Sequence, residues 1–262
     1  MKKSAQALLL SPPQIHLLAI DLEPTPYKID LWNGFTASKQ FQVEVLYTHT
    51  KDRSVDAGHD YQELPKAHFF SKTLNSHGIL GWWQTLFGTV QFLRCHPCDV
   101  VFIAGYVDIG PLVAIGYCSL LNKPFLVHSD IFNLSNPVAP LSLLKKIIRN
   151  ALRHWIFKRA LAILVCGKLG LQSALDAGCA RDKVIDFPYV VDLQRILTDE
   201  PGNIPREVQD DIANNKAESA KEGHTIFYFS GRMITRKGLA NLLAAFAQLR
   251  APLKNGPWVC LL

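Results

Sequence analysis

The most informative stretch of the chain is Ile226-Phe227-Tyr228-Phe229-Ser230-Gly231-Arg232-Met233-Ile234-Thr235-Arg236-Lys237-Gly238, an apolar run that breaks at a glycine into a basic loop. A helical pattern follows from Leu239 to Leu249. This order predicts a strand, an anion-binding loop and a helix, because glycine lets the backbone approach a ligand and the free N–H groups of a helix N-terminus attract negative charge. Arg232 and Lys237 are therefore candidates to bind a phosphate group.

Composition and charge set the broad class of the protein. Of its 262 residues, 48% are hydrophobic and 19% are charged, which is typical of a globular protein with a sizeable core. The 28 basic and 22 acidic residues give a net charge of +6, which suits phosphorylated ligands, anionic lipid or nucleic acid equally well. The apolar run from Ala7 to Leu10 is cut by Pro12 and Pro13, too early for the core of a signal peptide. We therefore predict a cytoplasmic chain.

The six cysteines predict no disulfide framework. Most of them, such as Cys118 and Cys166, lie inside apolar segments, as reduced core residues do. Cys95-His96-Pro97-Cys98 is the one pair at the spacing of metal ligands, and no second pair stands at zinc-site distance. We interpret this pair as a loop with two incidental thiols, and we predict no metal.

Short β-like runs alternate with helical patterns through most of the sequence. That alternation predicts an α/β fold with a parallel sheet covered by helices on both faces. The candidate strands are Ile15 to Ile20, Gln42 to Tyr47, Val100 to Ala104, Pro124 to His128, Ala162 to Cys166 and Val184 to Phe187. The candidate helices are Ile29 to Lys39, Gly81 to Arg94, Pro111 to Leu121, Leu141 to Ala160 and Lys168 to Ala177. No Gly-x-Gly-x-x-Gly fingerprint follows any of these strands, which argues against a dinucleotide cofactor.

A change in composition marks the domain organisation. The segment from Asp192 to Gly223 contains Pro201, Gly202 and Pro205 and a polar run with few apolar residues, which predicts an interdomain linker. We therefore predict an N-terminal Rossmann-like domain over residues 1–191, a linker over 192–223 and the start of a second domain over 224–262. A piece of about 40 residues does not fold securely alone, so it must dock on the first domain or the natural protein must continue.

Several segments, in this order, resemble the GT-B glycosyltransferases, specifically the large retaining family usually called family 4. Phe229 to Gly238 looks like the opening of that family's donor-binding domain. Val165 to Gly178 and then Lys183 to Asp192 resemble the end of its acceptor domain, and Lys123 to His128 resembles the strand whose terminal histidine faces the cleft. The resemblance implies a Rossmann-like domain of GT-B type followed by an incomplete second Rossmann-like domain. It also implies hexosyltransferase activity, from a nucleoside-diphosphate sugar and with a retaining mechanism.

The resemblance assigns roles to particular residues. Gly231, Arg232 and Lys237 would bind the diphosphate of the donor, where fixed cations stabilise the charge that develops on the leaving group. His128 would be the catalytic residue that positions the sugar, because ligand clefts of open α/β sheets lie beyond the carboxyl ends of the strands. The alternatives are a basic loop that faces water and a histidine with a structural role. Two weaker candidates for the cleft are Asp130 and Tyr27.

The chain also departs from the family's pattern. Many members carry a glycine-rich loop after the first strand, whereas this chain has Asp21 to Tyr27 there. The family's two glutamates eight positions apart, which grip the ribose of the nucleotide, would lie beyond Leu262. We therefore expect this chain alone to lack most of the donor pocket and to be inactive. With no Asp-x-Asp in the chain, a metal-bridged diphosphate is not expected either.

Two competing hypotheses remain open. One is a truncated, non-catalytic protein that keeps the acceptor domain and a membrane or partner surface. The other is a sugar-nucleotide epimerase of similar two-domain build, which would turn over its donor without an acceptor. In every case we expect no nucleic-acid partner.

The helical pattern from Leu141 to Ala160 bears on the acceptor. No acidic residue occurs between Asp130 and Asp176, while apolar residues recur at helical spacing. Such a helix can lie on anionic lipid at the cytoplasmic face of a membrane and meet a lipid-linked acceptor, or it can pack on the core with its basic side chains in solvent. The basic residues that would contact a membrane are Lys145, Lys146, Arg149 and Arg153. A second set can face an acceptor or a membrane, although its composition favours core packing: Trp82, Trp83 and Phe87.

Overall fold

The chain divides into two compact units, Met1–Asp192 and Leu193–Leu262. The structure, a computed structural model, describes residues 14–49, 64–74, 78–132, 143–194, 210, 213–214, 225–228, 237–250 and 258–261. Gly231 and Arg232 of the predicted phosphate loop, and most of the predicted linker, lie outside the described residues.

The first unit alternates strands and helices. Its strands are β1 (Ile15–Asp21), β2 (Phe41–Tyr47), β3 (Phe70–Thr73), β4 (Val100–Ala104), β5 (Phe125–His128), β6 (Ala162–Val165) and β7 (Val184–Asp186). Its helices are α1 (Pro26–Ala37), α2 (Gly78–Cys95), α3 (Ile109–Leu120), α4 (Leu143–Arg159) and α5 (Gly167–Asp176). A 3₁₀ turn at Arg181–Lys183 leads into β7.

The strands form one sheet in the order β3-β2-β1-β4-β5-β6-β7, with every neighbouring pair parallel. The strand order reverses between β1 and β4, which is the topological switch point of a Rossmann-like sheet. The predicted fold class, an α/β Rossmann-like domain of GT-B type, is confirmed. Sequence periodicity does not predict β3, because this edge strand is exposed along its whole length and carries no buried apolar residue.

Apolar side chains pack on both faces of the sheet. On one face, Trp32 of α1 is fully buried and its ring meets that of Phe102 edge-on, with centroids 4.9 Å apart. On the other face, helices α2 to α5 contribute to a single cluster with members such as Phe92, Ile115 and Ile156. Full burial of each such side chain stabilises the fold by about 1.5 to 3 kcal/mol. The core therefore holds the sheet rigid beneath its carboxyl edge.

Helix α4 packs on this core only through its carboxyl-terminal half. Ile156 and Phe157 are buried, and the Lys183 Nζ donates to the carbonyl oxygens of Phe157 and Ala160 at 2.9 Å each. A lysine at this position satisfies carbonyl groups that a helix end leaves without partners. Among the described residues, no apolar side chain from the first two turns of α4 belongs to the core cluster.

One expectation about apolar side chains is wrong. Trp82, Trp83 and Phe87 do not pack in the core, because their exposed fractions are 70%, 57% and 62%. For α4, core packing holds in the carboxyl-terminal half, whereas the apolar residues of the first two turns are exposed. In the described part of the chain, no helix combines the length and the apolar character needed to cross a bilayer.

The second unit contains a parallel strand pair with a helix between the strands. β8 (Thr225–Tyr228) pairs with β9 (Trp258–Leu261), and α6 (Leu239–Arg250) connects them in sequence. Gly238 precedes α6 with a φ of +72°, a left-handed conformation that suits glycine. The strand and the helix match those that the sequence predicts on either side of the basic loop, and residues 229–236 between them lie outside the described residues.

Candidate functional site

The candidate site lies at the carboxyl edge of the sheet in the first unit. A small cavity there is lined by the last residues of three strands, namely Asp21 of β1, Ala104 of β4 and His128 of β5. Helix α1 and Phe102 of β4 contribute further lining, and so does the segment after β7 with Phe187, Pro188, Tyr189 and Val190. The enclosed space is about 20 Å³, which is roughly the room for one water molecule, so a larger ligand would lie over the open side of the cavity.

His128 sits among aromatic rings. Its ring stacks on Phe102 at a centroid distance of 5.8 Å and meets Phe187 and Tyr189 edge-on at 5.7 and 5.9 Å. Its Nε2 atom is buried and has no hydrogen-bond partner among the described residues. Burial lowers the pKa of His128 below its ordinary value of 6.5, and the charge of Lys28 adds to this, while the Asp130 and Asp21 carboxylates oppose it. The imidazole is therefore neutral at neutral pH and has one ring nitrogen free for a ligand.

Tyr189 brings the predicted cleft residues together. Its hydroxyl donates a short hydrogen bond to Asp130 Oδ1, and its ring meets Tyr27 edge-on at 4.9 Å and His128 at 5.9 Å. Burial, followed by this hydrogen bond, raises the pKa of Tyr189 well above its ordinary value of 10.0, so the hydroxyl remains a donor. Tyr189, which sequence reasoning did not select, thus contacts all three predicted residues: Tyr27, His128 and Asp130.

A buried ion pair between Lys28 and Asp21 forms part of the cavity lining. Lys28 Nζ donates to Asp21 Oδ1, and the backbone N–H of Leu22 donates to the same oxygen at 2.7 Å. Burial by itself would lower the pKa of Lys28, but the Asp21 carboxylate outweighs it and the pKa is raised above 10.5. The lysine is therefore charged and is already paired with a carboxylate. Sequence reasoning missed both residues, since a Lys in the first turn of a helix carries no signal of burial.

The segment after β7 returns toward α1 and is hydrogen-bonded to that helix at its far end. The N–H of Phe187 donates to the carbonyl oxygen of Val165 at 2.7 Å, which extends the β7 ladder by one bond. The N–H of Asp192 donates to Asp30 Oδ2 of α1 at 3.1 Å. The rings of Phe187 and Tyr189 lie between these two bonds, so the segment is held against His128.

The remaining predicted site residues lie elsewhere. Lys237 is exposed in a short 3₁₀ turn of the second unit, just before α6. Lys145 and Lys146 are exposed on α4, and Arg149 is partly buried. In the part of the chain that the structure describes, no three His, Cys, Asp or Glu side chains are grouped to hold a metal ion.

The prediction that Arg153 contacts a membrane is wrong. Its exposed fraction is 4%, and its Nε donates to the hydroxyl of Tyr106 at 3.2 Å. The guanidinium carbon also lies 6.0 Å from the centre of the Tyr106 ring. Arg153 faces the sheet because it follows Arg149 by one helical turn on the side of α4 that the buried Ile156 and Phe157 share.

No protein-family model matches this sequence, and no curated protein matches it. Solved structures share its fold at low identity. HepE from Anabaena, solved with UDP and glucose, aligns with a TM-score of 0.58 and 14% identity over 94% of this chain and 60% of that chain. A UDP-N-acetylglucosamine 2-epimerase aligns with a TM-score of 0.55 and 11% identity over 95% of this chain and 63% of that chain. MnaA from S. aureus, solved with UDP, aligns with a TM-score of 0.52 and 14% identity over 94% of this chain and 62% of that chain.

The chain thus spans between 60% and 63% of the length of these three proteins. At identities of 11% to 14% the likeness shows a shared α/β fold.

Proposed function

We propose that this protein takes part in the transfer of a sugar from a nucleoside-diphosphate sugar to a glycan or lipid-linked acceptor, with retained anomeric configuration. The observation that carries the proposal is the buried Nε2 of His128, which has no partner among the described residues. It lies at the carboxyl end of β5, one strand from the point where the strand order reverses. Ligands of open α/β sheets bind at that point, and an unpaired buried nitrogen is stabilised when a ligand pairs with it.

The proposed reaction needs charge stabilisation on its leaving group. When the bond between the sugar C1 and the diphosphate oxygen breaks, negative charge grows on that oxygen. We assign Arg232 and Lys237 to this charge, with Gly231 allowing the backbone to approach the diphosphate. These fixed cations would serve in place of a metal ion. The exposed position of Lys237 just before α6 suits this role, because the N–H groups of a helix N-terminus add to the positive potential.

His128 would position the transferred sugar. A neutral imidazole can donate or accept one hydrogen bond with a sugar hydroxyl, and it does so without the desolvation cost of a charged ring. The aromatic rings of Tyr27 and Tyr189, which line the same cavity, suit the apolar C–H groups of a sugar. The structural neighbours support a nucleotide ligand, since HepE and MnaA were both solved with UDP.

Calorimetric titration with UDP, GDP and ADP sugars tests the proposal, on the 262-residue chain and on any longer product of the same reading frame. We expect binding to weaken at least tenfold, or about 1.4 kcal/mol, in Arg232→Ala and in Lys237→Ala. Lys168→Ala is the matched control, since Lys168 is an exposed lysine of the first unit. Absence of binding by every form would contradict the donor assignment.

A second candidate function is epimerisation of the sugar nucleotide, which the comparison with a UDP-N-acetylglucosamine 2-epimerase favours. The two activities separate when the donor is incubated without an acceptor. An epimerase yields the epimer of the intact sugar nucleotide, whereas a transferase yields UDP only when an acceptor is present. A protein that binds the donor and does neither would be the non-catalytic form with an acceptor or partner surface.

A further inference from the structure

Helix α2 presents large apolar side chains to solvent over its first three turns. Four of them are exposed by 57% to 74%: Leu80, Trp82, Trp83 and Phe87. The rings of Trp83 and Phe87 stack at a centroid distance of 5.8 Å, so they form one continuous apolar surface. An open groove of about 340 Å³ lies beside them, and all four side chains that line it are apolar: Trp82, Trp83, Leu86 and Ile109. The groove has the size and the lining to accept hydrocarbon.

Helix α4 repeats this arrangement at its own amino-terminal end. Four apolar side chains are exposed by 57% to 75%: Leu143, Leu144, Ile147 and Ile148. Exposed surfaces of folded proteins rarely hold several large aliphatic residues in two turns, and contiguous apolar patches mark sites of interaction. The packed half of α4 begins only after these turns.

The topology places the two sets at the same edge of the protein. In a parallel sheet, each helix that follows a strand begins at the carboxyl edge, and α2 and α4 follow β3 and β5. Both helices also contribute to the core cluster on one face of the sheet, so they cover the same face. The exposed ends of α2 and α4 therefore lie at the edge where β5 ends in His128. We call these eight residues the apolar edge.

The charged side chains on the α4 part of the apolar edge are positive. Lys145 and Lys146 are exposed between its residues on α4, and Arg149 follows one turn later. No acidic residue occurs in the sequence from 131 to 175. Asp108, at the start of α3, lies at the same edge, and one of its oxygens is 4.0 Å from His49. A second copy of this chain would bring these cations against one another, whereas an anionic surface would attract them.

We propose that the apolar edge docks on an anionic lipid bilayer. The apolar side chains would enter the boundary between headgroups and acyl chains, and the lysines would meet the anionic headgroups. Tryptophan suits this boundary because it is apolar along most of its ring and has one N–H donor. The same edge carries the candidate cleft, so a bound bilayer would present a lipid-linked acceptor to it. That last step rests on the proposed function, whereas docking itself requires no donor.

Vesicle sedimentation tests the docking without any sugar nucleotide. The whole chain is mixed with vesicles of phosphatidylcholine alone or of phosphatidylcholine with phosphatidylglycerol. We expect binding only to the anionic vesicles, a blue shift of tryptophan fluorescence on binding, and weaker binding as salt is added. Lys145→Glu and Lys146→Glu should each weaken binding by more than about fivefold, the factor expected for the loss of one charge near such a surface. Ile147→Ser combined with Ile148→Ser, and Trp82→Ser combined with Trp83→Ser, should also weaken it.

Matched controls lie at the opposite edge. Lys158 is an exposed lysine about 18 Å further along α4, and Leu120 is 82% exposed at the end of α3, so Lys158→Glu and Leu120→Ser should leave binding nearly unchanged. All these side chains are exposed, so thermal unfolding should stay close to that of the parent chain.

Equal losses in the edge and control variants, or no binding to anionic vesicles, would overturn the proposal. Self-association through this edge without vesicle binding would overturn it too. If nucleotide sugars fail to bind while vesicle binding persists, only the proposed function fails.

Discussion

The hydroxyl of Tyr189 donates a hydrogen bond to the carboxylate of Asp130, a residue 59 positions earlier in the chain. This bond partly neutralises a carboxylate whose charge favours the protonated form of His128. We expect Tyr189→Phe to raise the pKa of His128, because Asp130 then keeps more of its negative charge while the ring at position 189 is retained. NMR titration of the His128 ring protons measures this pKa directly.

Tyr106→Phe is the control for this prediction. It also removes a tyrosine hydroxyl that is hydrogen-bonded to another side chain, but its ring belongs to the core cluster on the other face of the sheet. The pKa of His128 should not change in that variant. An unchanged pKa in Tyr189→Phe would show that the bond does not influence the imidazole.

The free energy of unfolding should depend on pH through His128. Burial lowers the pKa of this ring below 6.5, so the unfolded chain binds a proton in a range where the folded protein does not. The free energy of unfolding therefore falls as the pH drops from 6.5 toward the lower pKa of the folded state. His128→Gln should lose less stability over this range in urea unfolding, while His154→Gln, at an exposed position of α4, should behave like the parent chain. Parallel curves for His128→Gln and the parent would refute this.

Gly170 of α5 is expected to tolerate no side chain. A Cβ atom there would lie 2.6 Å from the carbonyl oxygen of Asp130 and 3.1 Å from Val165 Cβ. Backbone atoms cannot move aside easily, so we expect Gly170→Ala to lower the free energy of unfolding by about 1 to 3 kcal/mol. Gly116→Ala is the counterpart in α3, where a Cβ would meet nothing within 4 Å, and it should raise stability by about 0.5 to 1 kcal/mol. Denaturant unfolding of both variants checks the pair, and equal effects would argue against the close contact.

Arg153 should act on stability and leave membrane binding unchanged. Arg153→Ala deprives the Tyr106 hydroxyl of a buried donor and leaves a gap beneath α4, so we expect a loss of about 2 to 3 kcal/mol. Lys146→Ala on the exposed face of the same helix should change the free energy of unfolding by less than about 0.5 kcal/mol. Thermal unfolding distinguishes the two variants. Similar stabilities would mean that Arg153 is not buried as described.

The sheet could be predicted because its strands are buried on both faces. Val100 to Ala104 and Ala162 to Val165 are nearly continuous apolar runs, and such runs between helical patterns are characteristic of parallel sheets. β3 could not be predicted for the opposite reason, since Phe70 is 55% exposed and the strand is defined by its parallel pairing with β2. An edge strand of this kind gains its structure from a partner that lies far away in sequence.

The candidate site was predicted only in part for a similar reason. His128 ends an apolar strand, and that position alone places it at the carboxyl edge of the sheet. Tyr189 and Lys28 gain their positions from contacts with Asp130 and Asp21, and no periodicity records such contacts. The same limit explains Arg153, since a helical pattern of basic residues does not tell which of them turns inward.

The short strand β7 has a consequence for local unfolding. It has three residues, lies at the edge of the sheet, and carries the segment that lays Phe187 and Tyr189 over His128. Edge strands with few ladder bonds open more readily than the centre of a sheet. Amide hydrogens at residues 184–187 should therefore exchange with solvent sooner than those of β4 and β5. The fraying of one short strand would uncover the imidazole while the rest of the sheet stays folded.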